Sequence, residues 1–406
     1  MTVNVVVVGG GIGGLSMALA LRRAGLTVRV LEQAPEFGEV GAGLQIAPNG
    51  TRILRSWGLL DEVVSLGVLP RRLVMRDALD GSVLTTLDLA DAERRYGAPY
   101  VVIHRSDLHG ALLRACERDG VDLVTRCAVT DVVQDPGGAT TVSADRKDRG
   151  EVVIAADGLH STLRAKLSGD RPVSSSYVAY RGAVPMGQVA SLGISTEDVV
   201  VYIGIRCHFV QYALRGGEML NQVAVFESPK ARAGEAEWGT PDELDAAFAG
   251  TCGQVREGLG FLWRDRCWRM FDREPIDNWV QGRLMLTGDA AHPPLQYLAQ
   301  GVVMAIEDAW TMAEHVTART GAHGVDWPEA MAAQIAVRRL HTARVLRTAR
   351  SWGDLWHLDV PARDARNAYL RGRDARDYTY VDWLYGPTAL VPEELAPPFP
   401  PAGLRW

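Results

Sequence analysis

Val5-Val6-Val7-Val8 runs directly into Gly9-Gly10-Gly11-Ile12-Gly13-Gly14, and Glu32 follows at the end of Val28-Arg29-Val30-Leu31. This pattern restricts the fold more than anything else in the chain. Four consecutive β-branched residues read as a parallel strand buried on both faces. Gly9-x-Gly11-x-x-Gly14 reads as a tight turn into a helix, because the backbone must turn sharply, approach a pyrophosphate and pack helix against strand. The unpaired N–H groups at the helix start then favour an anion. Leu15, Ala18, Leu19 and Leu21 continue the helix and Gly25 stops it. Glu32 closes the second strand, placed to accept hydrogen bonds from a ribose diol. A lone GxGxxG is a weak signal, and a glycine-rich turn without a ligand is its bland alternative. Strand, glycines, helix, strand and acid at this spacing together specify a dinucleotide-binding unit. A signal peptide or membrane span over residues 1–21 does not fit. The segment lacks a basic start, five glycines interrupt it, and its apolar run is short of a spanning length. No other segment reads as transmembrane, and the expected location is the cytoplasm.

The 406 residues suffice for two or three structural domains. A net charge of −6 argues against nucleic acid as the main partner. The five cysteines (116, 127, 207, 252 and 267) form no CxxC pair and no metal-ligand spacing. They read as reduced thiols, and no metal is expected. Residues 1–75 carry strand, helix, strand, then a loop and helix around Ile46–Leu60. Ser106 or Asp107 is the expected cap of a helix over Leu108–Asp119, with strands near Val121–Thr125 and Val152–Ala156. From about 171 to 270 the pattern changes to short strands, Val199–Ile203, Cys207–Leu214 and Asn221–Phe226, punctuated by Gly204 and Gly216-Gly217. A strand near Arg283–Leu286 precedes a Gly-Asp pair, and a helical region spans roughly 328–357. The expected class is α/β: a Rossmann-type domain (1–75, 98–170 and 271–340), interrupted by an antiparallel-sheet substrate domain (76–97 and 171–270). A C-terminal helical region and tail (341–406) follows, with Pro397–Pro401 as extended tail.

Two further motifs carry chemistry. Asp157-Gly158 ends the strand Val152–Ala156 and is followed by Ser161 and Arg164, which places a turn, a hydroxyl and a guanidinium near one ligand. Gly288-Asp289-Ala290-Ala291-His292-Pro293 follows Leu284-Met285-Leu286, so Asp289 stands at a strand's carboxyl end, where α/β sheets bind ligands. Gly301 precedes a helix over Val302–Val316 whose N-terminus can stabilise an anion.

With these three motifs in this order, the chain resembles the single-component FAD-dependent aromatic hydroxylases, which share the para-hydroxybenzoate hydroxylase fold. The resemblance covers roughly residues 1–350. It implies that Gly9, Gly11 and Gly14 hold the FAD pyrophosphate, Glu32 the adenosine ribose, and Arg105 the phosphates. It implies that Asp157 serves both FAD and the pyridine nucleotide, Asp289 the ribityl chain, Pro293 the isoalloxazine, and the N–H groups at Gly301 and Val302 flavin N1 and O2. The segment Leu295–Met304 departs from the family's usual glycine-rich, Asn-containing pattern. Within the family, Pro294-Leu295-Gln296-Tyr297 and Cys207-His208-Phe209-Val210-Gln211-Tyr212 look most like the enzymes that hydroxylate 3-hydroxybenzoate para to its phenol, giving gentisate. The resemblance assigns His208 and Gln296 to the substrate phenol, with Tyr212 completing the lining. The partners it implies are NADH or NADPH, O2 and a small aromatic acid; a homodimer is common for such enzymes.

Chemistry supports that assignment. Positions i and i+4 of a strand share a face, so His208 and Tyr212 should look into one cavity. Oxygen carried as a flavin C4a-hydroperoxide is electrophilic. The ring must be electron-rich, and histidine can take a phenol's proton near neutral pH. His208 could instead be a satisfied core histidine, and Gln296-Tyr297 could be loop packing. Salicylate or another phenol is the alternative substrate, and a flavin oxidase or dehydrogenase without oxygen insertion the alternative class. His292 reads as structural, beside the flavin. The arginines of 338–350 read as a solvated or subunit-contact helix face, and Trp352, Trp356, Tyr380, Trp383 and Tyr385 as packing or a dimer contact.

Overall fold

Val5–Val8 lies inside a six-stranded sheet with the order Val280–Gln281, Leu284–Leu286, Val152–Ala155, Val5–Val8, Val28–Leu31, Asp122–Val124. Every pairing is parallel except the edge pair Val280–Gln281 with Leu284–Leu286. All four valines are buried, as a central strand covered on both faces requires. The structure is a computed structural model and describes residues 3–38 and 41–386; Pro397–Pro401 lies outside the described residues. The first helix, Ile12–Arg23, packs between this sheet and the Gly301–Ala318 helix, and Gly25 follows it at φ +92°. The Gly301 helix begins one residue before the expected start and runs to Ala318.

The helix near Ser106 differs from expectation. It spans Arg105–Arg118, and its cap is His104, whose ring nitrogen accepts from the Ser106 N–H. Strand Val101–His104 runs into the helix without an intervening turn, so no Ser or Asp stands at the cap position. Asp107 instead binds Arg215 at 2.9 Å.

The second sheet has seven strands, in the order Trp268–Asp272, Val173–Pro185, Met219–Glu227, Cys207–Leu214, Asp198–Gly204, Arg72–Asp77, Val83–Asp88. Its pairings are antiparallel except Asp198–Gly204 with Arg72–Asp77, which is parallel. A long excursion through the first sheet separates those two strands, so no hairpin fixes their direction. The long helix Trp327–Trp356, capped by Asp326, and the shorter helix Ala362–Arg371 follow in the chain. A shared apolar cluster joins Val201, Val210 and Val223 of the seven-stranded sheet to Val345, Leu346 and Trp356 of the long helix. Burial of these side chains, each contributing about 1.5–3 kcal/mol, holds the C-terminal region against that sheet. Among the described residues, no helix is long and apolar enough to cross a membrane.

The arginine run on the long helix is a solvated face only in part: Arg347 is exposed, whereas other members turn inward. Arg338 is fully buried, with Nε 2.9 Å from Asp308 Oδ1 and Nη2 2.8 Å from Glu307 Oε2. Arg350 binds Asp272 and Glu274, each at 2.7 Å, and Arg344 lies over the Trp383 ring. These partners come from other helices and strands, which spacing along one helix cannot reveal.

Candidate active site

A cavity of about 910 Å³ runs from the glycine turn to the seven-stranded sheet. Its first half is built from loops at the carboxyl ends of the parallel strands. Gly9, Gly11, Glu32, Arg105, Asp157, Asp289, Gly301 and Val302 all line it. Gly9 has φ +108°, and a Cβ there would stand 2.3 Å from the Ala156 carbonyl oxygen. Gly14 does not face the cavity. It lets the first helix close on the turn, since a Cβ there would fall 1.9 Å from the Gly9 oxygen. Pro293 is buried inside the wall, and its neighbour Pro294 faces the cavity.

The donor set fits FAD. The first helix starts after Gly11 with no side-chain cap and no acid in its first turn, which leaves its N–H groups for phosphate oxygens. The Gly301 helix starts the same way. Glu32 is held rigidly, its two oxygens accepting from the Gly10 N–H at 2.7 Å and the Ala34 N–H at 2.8 Å. Asp157 Oδ2 accepts from the Thr162 and Leu163 N–H groups, while Oδ1 is buried without a partner. A buried carboxylate oxygen in that condition calls for a donor from a ligand.

Beneath the Gly288-Asp289 turn, His292 Nε2 lies 2.6 Å from Asp308 Oδ2, which also accepts from Thr287 Oγ1 and the Gly288 N–H at 3.1 Å. Burial would raise the Asp308 carboxyl. His292 and Arg338 outweigh burial and hold it far below the usual carboxylate range. His292 thus anchors the turn to the Gly301 helix.

The second half of the cavity is the inner face of the seven-stranded sheet. His208, Val210 and Tyr212 line it, while the alternate residues Phe209 and Gln211 do not. The two-residue period thus brings His208 and Tyr212 to one chamber. Gln296 and Tyr297 enter from the short turn Gln296–Leu298. Burial, then the neighbouring His357, pushes the His208 pKa well below its ordinary value, so the ring is neutral near pH 7. Burial raises the Tyr212 phenol, which stays a neutral donor.

Arg181 and His357 were missed by the sequence reading. Arg181 lines the cavity from strand Val173–Pro185; its Nη2 donates to Gln296 Oε1 at 3.4 Å, and its Nε is buried without a partner. No carboxylate among the described residues pairs with it. Burial lowers its pKa, yet a guanidinium keeps its charge. A charged residue alternating with Ala179 on an inward strand face was the available signal. His357 Nε2 lies 2.8 Å from His208 Nδ1. Trp352, Trp356, Tyr380, Trp383 and Tyr385 also line the cavity, so the C-terminal aromatics wall the chamber.

A glycine turn on a parallel sheet, opening into an aromatic chamber walled by a second sheet, is the architecture of a flavoprotein of the hydroxylase class. Residues 2–338 match the family described as FAD binding domain. The chain belongs to this family of FAD-dependent aromatic hydroxylases. It is 37% identical over 386 residues to 3-hydroxybenzoate 6-hydroxylase of Polaromonas naphthalenivorans (strain CJ2), covering 94% of this chain and 95% of that one. It is 36% identical over 399 residues to 3-amino-4-hydroxybenzoate 2-monooxygenase of Streptomyces cremeus, covering 97% and 98%. The Klebsiella pneumoniae protein HpxO, solved with FAD and uric acid, is 27% identical, with a TM-score of 0.81 over 91% of this chain and 93% of that one. The protein is therefore a flavoprotein monooxygenase with FAD as cofactor, and NAD(P)H is the usual electron donor of such hydroxylases.

Proposed function

We propose that the protein hydroxylates a small phenolic acid, 3-hydroxybenzoate, at the carbon para to its phenol to give gentisate. The carrying observation is that His208, Tyr212, Gln296 and Arg181 converge on the cavity that also holds Asp289 and Gly301. Reduced FAD, when bound, supplies the activated oxygen; the protein binds the ring, activates it and excludes water. Arg181 offers a positive charge without a carboxylate of its own, which suits the acid group of a benzoate. Neutral His208 offers an acceptor for the phenol proton, and a phenolate is activated at its ortho and para positions. Tyr212 and Gln296 supply the remaining hydrogen bonds. In the cofactor half, the proposed roles are pyrophosphate contact for Gly9 and Gly11, with Gly14 closing the turn, ribose contact for Glu32, and phosphate contact for Arg105. Asp157 and Asp289 take the nucleotide and ribityl hydroxyls, and the Gly301 and Val302 N–H groups face the ring's carbonyl edge. Pro294 takes the ring-facing place expected of Pro293. A homodimer completes the proposal.

Similarity to the Streptomyces cremeus enzyme supports a second reading, an aminated hydroxybenzoate as substrate. The test is aerobic NADH or NADPH oxidation with each acid and with salicylate, the product being identified by chromatography. Gentisate equal to the nicotinamide consumed is the expected result. A hydroxylated aminobenzoate, or catechol from salicylate, would reassign the substrate. Peroxide in place of product with all three would sink the phenolic-acid reading.

A further inference from the structure

His208 has two ring nitrogens, and the chamber uses only one. Nδ1 lies 2.8 Å from His357 Nε2, and the two rings overlap at 22° with centroids 5.1 Å apart. His208 lines the cavity and His357 does not, so His357 stands behind it. We propose that His357 is a positioning residue that also passes the substrate's phenolic proton from His208 to the protein surface. This rests on the phenol-hydroxylating reading above.

The geometry leaves little freedom. Two neutral imidazoles in one hydrogen bond share a single N–H, so the tautomer of one sets that of the other. When His208 Nδ1–H donates to His357, His208 Nε2 carries its lone pair toward the chamber and can accept a phenol proton. The reverse bond would put an N–H there and forbid acceptance. Tyr177 stacks on His357 at 4.6 Å, and Tyr297 meets it edge-on at 5.6 Å. Trp356 sits edge-on to His208, and the His357 carbonyl accepts from the Arg206 N–H. The ring pair is thus clamped from the sheet, the Gln296 turn and the long helix.

The step balances without a co-reactant other than water. The phenol O–H proton moves to His208 Nε2, the His208 Nδ1 proton moves to His357 Nε2, and the His357 Nδ1 proton leaves to solvent water. A phenolate stays in the chamber. His357 Nδ1 is buried without a partner among the described residues, a condition that calls for a bound water, and that water is the proposed acceptor of the proton. The charged and titratable groups facing the pair are Arg366, Tyr177 and Tyr297. Burial, then Arg366, lowers the His357 pKa to about 3, so the ring rests neutral near pH 7.

The test compares His357→Phe and His357→Gln with the wild-type holoenzyme. Phe keeps the stacking and removes the acceptor; Gln accepts from His208 Nδ1–H and so fixes the tautomer, but cannot pass a proton on. Oxidised enzyme is mixed with 3-hydroxybenzoate in weak buffer containing a pH indicator, and kcat, KM and FAD content are measured alongside. Wild type should release a proton on binding. Both variants should release it more slowly and lose about 10²-fold in kcat with KM little changed and FAD retained. Wild-type behaviour in either variant, full rescue by Gln, or no proton release by the wild type would overturn the relay. If the Phe variant loses FAD, the Gln variant decides. Failure of the wild type to hydroxylate any phenolic acid would instead overturn the function reading.

Discussion

Two buried guanidinium groups sit in this molecule under opposite conditions. Arg338 lies beneath the Asp289 turn and faces two carboxylates, Glu307 and Asp308, at 2.8 and 2.9 Å. Arg181 lies in the chamber wall, over the Trp268 ring and beside the amide of Gln296, with no carboxylate paired to it among the described residues. A buried charge that the fold satisfies serves the fold; one that the fold leaves unsatisfied, beside a cavity, is kept for a ligand. The same contrast separates His292, bound to Asp308, from His208, whose second nitrogen is left to the chamber.

Arg338→Met should break the first member most severely. It takes the shared guanidinium from two buried carboxylates, at a cost of about 3–5 kcal/mol, read as a lower urea midpoint of the holoenzyme. A loss under about 1 kcal/mol would mean that this arginine is not structural. His208→Ala should cut hydroxylation by about 10³-fold while FAD stays bound; retained product formation would remove the histidine from phenol activation. Arg181→Met should leave the urea midpoint nearly unchanged and raise KM for the carboxylated phenol by about 10²-fold, with little effect on its carboxamide analogue. Equal effects on acid and amide would show that the charge is not read.

The comparison also has a pH signature. The folded-state pKa of His357 is depressed to about 3, against about 6.5 in the unfolded chain. The unfolded state therefore binds more protons between those values, and stability falls as pH falls below 6.5. The loss from this group is about 2 kcal/mol by pH 5. His208 and His341, also depressed by burial, add in the same direction. Urea midpoints measured from pH 7 to 5 should fall, and a flat profile would mean that these rings are hydrated. The smallest expected effect is Gln296→Ala, about tenfold in KM or in coupling of NAD(P)H to product; unchanged kinetics would leave Gln296 as packing.

The first half of the cavity was legible in the sequence because its geometry is local. Gly9, Gly11, Gly14 and Glu32 belong to one strand–helix–strand unit, and spacing alone places them. Cys207–Leu214 was legible for a similar reason, since alternation on one strand decides which residues face inward. Arg181 and His357 were not. Each becomes significant through a neighbour from a distant segment: a missing carboxylate for the first, and His208 across the interface with the long helix for the second. Arg338 was misread because Glu307 and Asp308 belong to another helix. The His104 cap was missed because histidine is an uncommon capping residue, and the Ser and Asp beside it were the more familiar candidates.

The order of strands in the six-stranded sheet also bears on how the protein is made. Leu284–Leu286 pairs directly with Val152–Ala155, yet the chain between them contains five of the seven strands of the second sheet. During synthesis the Asp289 turn emerges only after that whole sheet has left the ribosome. A nascent chain therefore cannot complete its flavin cradle before it has made the wall bearing Arg181 and His208. A product ending before the Gly301 helix lacks part of the cradle, and one ending just after that helix, at Ala318, still lacks the aromatic wall from Trp352 to Tyr385.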